Sequence, residues 1–454
     1  MDILNQFTCS LKDKRVLIFG LGLQGGGVGA AKFFSRHTNS IRITDLKSQE
    51  ELGPSLDSLK GIKYSATFGR HDEADIKWAD IVLVNQDVWN KAPDSPYIRL
   101  AQELGKQLET ETGLFFQLCQ CPIIGVTGTR GKTTTATMIA QMLETSGKKV
   151  VLGGNIPQSE NLEMLPLTHS ADYAVLELSN FQLHGLYFKK ISPHIAVITS
   201  ISPDHLISYQ SMEAYIEDKK NIYKYQSKSD ILVLKDSDIW SKKFASEAKA
   251  SVHYFSAKTL PEQWKLKVSG QHNRENLGAA YTVGKIIGLE QDVIRQALTA
   301  FKGVAYRLEK IKTYRGIDFI NDTTASTPTA ASIALKAFPA NRIVWIAGGN
   351  TKNLPLEELV VSASERVRYI VLLKGTGTRE LRQLLEKNVP DWEDKFLGEF
   401  DDFKAAIETA YKHASAGDTV LLSPAFTSFG MFANEFERGR LFNEYVTSLT
   451  SEGK

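Results

Sequence analysis

Short runs of aliphatic and β-branched residues alternate with longer stretches of helical periodicity along the whole chain, the pattern of α/β layers built on largely parallel sheets. Residues 16–19, 41–44, 81–84, 123–127, 174–178, 195–199, 343–347, 369–373 and 420–422 read as strands. Most of these runs are continuously apolar, as a strand covered on both faces requires. The runs ending at Phe19, Thr127 and Ala347 lead directly into glycine-rich turns. Such turns at strand ends mark separate ligand-binding units and place seams near residues 120 and 302, which divides the chain into 1–120, 121–302 and 303–454. No solenoid-length repeat or low-complexity tract interrupts the pattern.

Composition narrows the function. The 454 residues are 42% hydrophobic, ample for several cores, and 54 basic against 52 acidic side chains leave a net charge of +2. So balanced a chain has no general attraction for nucleic acid or an anionic membrane. No apolar run approaches the ~20 residues that cross a bilayer, and residues 1–14 lack the apolar core of a signal peptide. The three cysteines, Cys9, Cys119 and Cys121, form no disulfide framework and suit a reducing cytoplasm. Cys119 and Cys121 lack the second pair of ligands that a zinc site needs and read as packed thiols.

Two stretches carry phosphate-binding chemistry. After the first strand comes Gly20-Leu21-Gly22-Leu23-Gln24-Gly25, then Gly26, Gly27 and a helical stretch. The glycines allow a tight turn and close backbone approach, the helix offers free amides to a diphosphate, and Asp45 closes the next strand where a ribose hydroxyl would lie. Alone this pattern indicates a dinucleotide, but the same geometry serves any nucleoside diphosphate, and a plain glycine turn would look alike. The second stretch is more specific. Strand 123–127 runs into Gly128-Thr129-Arg130-Gly131-Lys132-Thr133-Thr134 and a helix with Met138, Ile139, Met142 and Leu143 on one face. This is a P-loop with slightly shifted glycines, in which Lys132 reaches β/γ-phosphate oxygens and Thr133 holds Mg²⁺, so ATP is the leading ligand. Glu177, at a strand end, reads as a further metal ligand. His205, beyond the strand ending at Thr199, lies at the same carboxyl edge, where a lone histidine is as readily structural.

With these come Gly153-Gly154-Asn155-Ile156, Leu176-Glu177-Leu178-Ser179-Asn180-Phe181-Gln182-Leu183, Asp204-His205, His272-Asn273-Arg274-Glu275-Asn276, Asn321-Asp322, Gly348-Gly349 and Leu422-Ser423-Pro424-Ala425. Together they resemble the Mur ligases, the ATP-dependent amide-forming enzymes of peptidoglycan precursor synthesis, over nearly the whole chain. The form of residues 177–183 is similar to the glutamate-adding branch, and the Asp-Asn-Pro-Arg motif of the diaminopimelate-adding branch is missing. The resemblance implies three α/β domains: a Rossmann-like first domain for a UDP-sugar, a central P-loop ATPase-like domain with a mostly parallel sheet, and a Rossmann-like C-terminal domain for the amino acid.

It further implies that ATP phosphorylates the carboxylate of UDP-N-acetylmuramoyl-L-alanine, and that D-glutamate attacks the acyl phosphate with release of ADP and phosphate. The implied ATP ligands are Gly128, Thr129, Gly131, Lys132, Thr133, Thr134, Asn273, Asn276, Arg307 and Asp322, the last two through a lid-like closure. Leu23, Gln24, Asp45, Lys47, Asn155 and Ser179 fall on UDP-substrate positions, and Ser326, Lys352, Ser428 and Phe436 on amino-acid positions. Thr133, Glu177, His205 and a carbamylated Lys219 would hold two Mg²⁺ ions, and Lys132, Glu177, His205 and Lys219 would form the catalytic set. By sequence alone Lys219 and Lys220 are a solvated helix face; only the resemblance selects Lys219. A monomeric, cytoplasmic protein is expected.

Thr324 stands where most relatives carry lysine, and Asn85-Gln86-Asp87 where many carry Asn-Pro-Gly. These departures leave a sister ligase with another amino acid in view. A P-loop switch without ligase chemistry, a nicotinamide oxidoreductase and a folylpolyglutamate-type synthetase are the other readings, and none accounts for the whole set of motifs.

Overall fold

The computed structural model describes residues 2–23, 25–91, 95–156, 159–201, 211–268, 270–351, 354–428 and 430–449. The chain forms two compact units, one of residues 1–266 with 271–301 and the other of residues 267–270 with 302–454. Among the described residues, no helix is long and apolar enough to cross a membrane.

The first unit holds two sheets. One contains β1 (Arg15–Phe19), β2 (Ser40–Asp45), β3 (Ser65–Phe68), β4 (Ile81–Val84) and β5 (Gln107–Glu109) in the order β3-β2-β1-β4-β5. Every pairing is parallel. The other contains β6 (Ile123–Thr127), β7 (Val150–Gly154), β8 (Tyr173–Glu177), β9 (Ile195–Ile198), β10 (Ile231–Lys235) and β11 (Ser251–Phe255) in the order β11-β10-β9-β6-β8-β7, again all parallel. The second unit is built on β12 (Glu309–Tyr314), β13 (Ile317–Asn321), β14 (Ile343–Gly348), β15 (Val367–Leu373), β16 (Phe396–Phe400) and β17 (Thr419–Leu422), ordered β12-β13-β17-β14-β15-β16. Only its edge pair β12–β13 is antiparallel.

Parallel strands joined by helices must be covered on both faces, and the cores divide accordingly. Leu17, Phe19, Val82 and Val84 pack on one face of the first sheet. Val16, Ile18, Ile41 and Ile43 face a core that continues into the second sheet through Leu114, Phe115, Leu176 and Leu178. Trp345 and Leu421 lie on one face of the third sheet, Val344 and Val420 on the other. The strands missing from the sequence reading have physical reasons. β3, β5, β7, β11, β12 and β16 are edges with mixed exposure, whereas β10 and β13 are interior strands with apolar cores bounded or broken by Lys235 and Asp318. Residue 178, expected inside a strand, lies just past β8.

Helix Gly26–Ser35 packs against the 3-10 helix Asn161–His169, with Lys32 paired to Glu160 at 2.6 Å and Arg36 paired to Glu163. At the helix start a Cβ on Gly26 would crowd the Glu111 carboxylate, which accepts the Asn161 amide at 3.2 Å. Cys119 and Cys121 touch, sulfur to sulfur at 3.8 Å, and all three cysteines are free thiols.

Burial pushes the Glu111 carboxyl up to about 7 from an ordinary 4.5, with the nearby Glu160 charge adding to the shift. A raised carboxyl holds its proton more tightly when folded, so its contribution to stability is present at low pH and falls as pH rises from 4.5 to about 7. Glu111→Gln is expected to remove that part of the decline, about 3 kcal/mol across the window, in unfolding midpoints of the first unit measured against pH. An unchanged pH profile would contradict it.

Candidate active site

Gly20-Leu21-Gly22 follows β1 between β2 and β4, the switch point of the first sheet where a parallel sheet leaves a crevice. Gly20 and Gly22 have φ of 92° and 65°, conformations that glycine adopts at little cost. Asp45 is buried at the end of β2 and ties down this turn, one carboxylate oxygen accepting the Gly22 amide at 2.9 Å and the other the Lys47 amide at 2.9 Å. The Asn85 side-chain amide donates to the Gly20 carbonyl at 3.1 Å, so the residue that Asn85-Gln86-Asp87 shares with Asn-Pro-Gly supports the turn. Leu23 is 45% exposed at its rim. Gln24 lies outside the described residues.

The P-loop follows β6, which lies between β8 and β9. Gly128 has φ 145° and Gly131 φ 80°. A Cβ at 128 would collide with the Thr199 hydroxyl, and one at 131 with the Asn276 amide. Both glycines are therefore required by space as well as by backbone conformation. Gly131 caps helix Lys132–Thr145, whose Met138, Ile139, Met142 and Leu143 are all buried. This anchored face aims the helix amides at the loop. The Lys132 ammonium donates to the Gly128 carbonyl at 3.0 Å and to the Thr129 carbonyl at 3.2 Å.

Register brings the next group in. Val126 pairs with Glu177 across β6 and β8, which sets the carboxylate beside the first helical turn. The Thr133 hydroxyl donates to Glu177 Oε2 at 2.6 Å, and Glu177 is only 2% exposed. Two buried oxygen ligands next to a phosphate loop suit a hard cation such as Mg²⁺. Thr134 follows on the same turn.

Lys219 corrects the expectation of a solvated face: it is 1% exposed. Its ammonium donates to the Gly128 carbonyl at 3.1 Å and to Asn180 Oδ1 at 2.5 Å, and it lies 4.8 Å from the Tyr215 ring centroid. Lys220 turns elsewhere, to Glu217 at 2.7 Å and Glu247 at 2.9 Å. The Tyr215 hydroxyl meets Thr129 Oγ1 at 2.9 Å, and Asn180 also donates to the Tyr215 carbonyl at 3.2 Å. Sequence reasoning passed over Asn180 and Tyr215, although the first lies inside the 176–183 motif and the second one helical turn before Lys219. His205 lies outside the described residues, and among those described no group of three or more His, Cys, Asp or Glu side chains clusters as a metal site.

Asn276 is buried against Gly131 on helix Gln271–Ile286, one turn after Asn273. That helix is held by Arg274, which donates to the carbonyls of Ala257, Leu260 and Pro261 at 3.0 Å each. The Asn155 amide donates to the Glu177 carbonyl at 2.8 Å, leaving its exposed side chain beyond β7. Ser179 caps helix Asn180–Lys189 through a reciprocal bond pair with Gln182, so its hydroxyl already has a local task.

In the second unit, exposed Arg307 lies between Tyr306 and Leu308, with φ of 66° and 46°. Two left-handed non-glycine residues around one arginine are strain stored in a loop. Asp322 is buried, accepting from Ser423 Oγ at 2.8 Å and from the Leu308 amide at 3.1 Å, and burial pushes its carboxyl up to about 7. Ser326 lies in the turn after β13, Phe436 has its ring 6.2 Å from that of Tyr306, and Ser428 is buried with its hydroxyl unpartnered. Thr324 Oγ1 donates to the Tyr306 carbonyl at 2.8 Å, a neutral bond at the position where the family resemblance leads one to expect lysine. Lys352 lies outside the described residues.

Parallel sheets with a lysine-bearing glycine turn and a buried threonine–glutamate pair at one carboxyl edge define a P-loop nucleotide-binding protein of the α/β class. The chain belongs to the Mur ligase family: residues 126–280 match the model of the Mur ligase middle domain, and residues 306–426 that of the Mur ligase glutamate ligase domain. It is 37% identical to the UDP-N-acetylmuramoylalanine–D-glutamate ligase of Roseiflexus sp. (strain RS-1), over 97% of this chain and 100% of that protein. To the protein of the same name from Borreliella afzelii (strain PKo) it is 34% identical, over 97% of this chain and 99% of that protein. Among solved structures it is similar in fold to the UDP-N-acetylmuramate-alanine ligase of Thermotoga maritima, with a TM-score of 0.61 at 19% identity, covering 96% of this chain and 100% of that one.

Gly131→Ala forces a side chain into Asn276 at a left-handed position. It is expected to weaken binding of a fluorescent ATP analogue at least about ten-fold while the far-ultraviolet dichroism spectrum stays unchanged.

Proposed function

We propose that this protein joins D-glutamate to UDP-N-acetylmuramoyl-L-alanine, an ATP-driven amide ligation of peptidoglycan precursor synthesis. The observation that carries this reading is the near full-length identity with ligases of that name, and the P-loop built after β6 supplies the chemistry. The three units of function are assigned to residues 1–120 for the UDP-sugar, 121–302 for ATP and 303–454 for the amino acid.

In this reading the amides of Gly128, Thr129, Gly131, Thr133 and Thr134 cradle the phosphates, and Lys132 leaves its loop carbonyls to meet the terminal phosphoryl group. Thr133 and Glu177 hold Mg²⁺, which when bound supplies positive charge against the phosphate oxygens. His205 and a carbamylated Lys219 are assigned to a second ion. The substrate carboxylate takes the γ-phosphoryl, ADP departs, and the D-glutamate amine displaces phosphate from the acyl phosphate. Asn273 and Asn276 carry amides suited to both edges of adenine. Leu23, Gln24, Asp45, Lys47, Asn155 and Ser179 are assigned to the UDP-substrate, and Ser326, Lys352, Ser428 and Phe436 to the amino acid. A monomer in the cytoplasm, where ATP and UDP-sugars are found, completes the reading.

Thr324 favours one further reading, a sister ligase for another amino acid, because the neutral bond to Tyr306 replaces a charge. A panel of amino acids in an ADP-release assay with UDP-N-acetylmuramoyl-L-alanine separates the two. Release is expected to require D-glutamate, and release with a different amino acid alone would overturn the first reading. Lys132→Ala is expected to abolish it.

The two adjacent lysines provide a sharper comparison. Lys219→Ala is expected to lower kcat by at least about a hundred-fold, and Lys220→Ala by no more than about three-fold, since only the first touches the phosphate loop. Equal losses in steady-state kinetics would reject the assignment.

A further inference from the structure

Arg438, on helix Glu435–Leu449, is a guanidinium with 0% exposure. No carboxylate pairs with it among the described residues; its bonds go to backbone and hydroxyl oxygens instead. Nε donates to Thr323 Oγ1 at 2.9 Å, Nη2 to the Thr323 carbonyl at 2.9 Å, and both Nη atoms lie 3.5 Å from the Phe426 carbonyl. Burial draws it down to about 10, so it keeps its charge at neutral pH. A buried charge with no direct ion pair is costly unless hydrogen bonds satisfy it, as the Thr323 and Phe426 oxygens do here with Glu435 adding a favourable charge, and the same bonds serve to tie two segments together.

What it joins indicates that service. Thr323 lies in the turn after β13, between Asp322 and Ser326, and Phe426 in the turn after β17, two residues before Ser428. The arginine fork spans these two turns. Asp322 is held separately by Ser423 and Leu308. Ser428, in contrast, is buried with an unpartnered hydroxyl, a state that costs free energy unless a ligand completes it.

We propose that Arg438 is a positioning residue for the amino-acid substrate: by bridging Thr323 and Phe426 it fixes the turn that presents the Ser428 hydroxyl. The proposal rests on the assignment of Ser428 to the amino acid under the function given above. A lysine at 438 keeps the charge, loses the planar fork and reaches at most one of the two turns well.

The test compares wild type, Arg438→Lys, Ser428→Ala and the double variant in the ADP-release assay, with thermal unfolding confirming that each is folded. Arg438→Lys is expected to raise KM for D-glutamate about ten-fold, leaving KM for ATP and kcat within about three-fold. Ser428→Ala is expected to raise the same KM, and the double variant to match Ser428→Ala rather than multiply the two effects, because one residue acts through the other. Multiplicative effects, equal rises in both KM values or no change in Arg438→Lys would overturn the proposal. If Ser428→Ala leaves KM for D-glutamate unchanged, the assignment of Ser428 itself fails. Should Arg438→Lys not fold, the role of Arg438 is architectural and the proposal is likewise rejected.

Discussion

Two ammonium groups converge on one backbone oxygen. Lys132 and Lys219, from different helices, both donate to the Gly128 carbonyl, at 3.0 and 3.1 Å. Like charges this close repel, and in a site shielded from water the repulsion is poorly screened. A polyanion that draws the ammonium groups outward eases it, and so does loss of charge from the more deeply buried lysine. Under the proposed function, nucleotide binding would supply the first and carbamylation of Lys219 the second. The carbonyl holds both lysines beside the loop, where the proposed function would have them meet phosphate.

That arrangement depends on parallel strands ending together. β6, β8 and β9 bring the P-loop, Glu177 and Thr199 to one edge because their register is fixed by buried apolar side chains. A one-residue slip would turn Glu177 to the opposite face. The loop glycines are equally constrained: the same Thr199 and Asn276 that crowd a Cβ at positions 128 and 131 also wall the turn. Packing and phosphate geometry are thus one requirement, which explains why a P-loop with displaced glycines still forms.

Much of this was legible in the residues. Continuous apolar runs gave the interior strands of every sheet except β10 and β13, and the glycines marked the turns because glycine is the residue that reaches positive φ without strain. The edge strands were hidden because an edge needs neither a continuous apolar run nor a covered face. At the site, Lys132, Thr133 and Glu177 follow from local spacing. Lys219 does not: with acidic and basic neighbours it looks solvated, and it is covered by Tyr215, one turn back on its own helix, and by Asn180, which only the fold brings beside it. Asp45 shows the converse. It was legible as a ribose ligand, yet its carboxylate already supports the Gly22 and Lys47 amides, so a sequence motif can mark a residue that builds a turn as well as one that meets a ligand.

The second unit makes the same point about charge. The lysine missing at position 324 would read as a lost contact with an anionic substrate, but the structure puts the Thr324 hydroxyl to use on the Tyr306 carbonyl, next to the strained backbone that carries Arg307. A neutral hydrogen bond there stabilises the left-handed turn without adding a like charge near Arg438, already buried behind Thr323. Two cations either side of one turn would repel each other with little solvent to screen them. Threonine at 324 thus supports the loop without local positive charge, and under the proposed function recognition of an anionic amino acid would fall to the remaining polar groups of that edge.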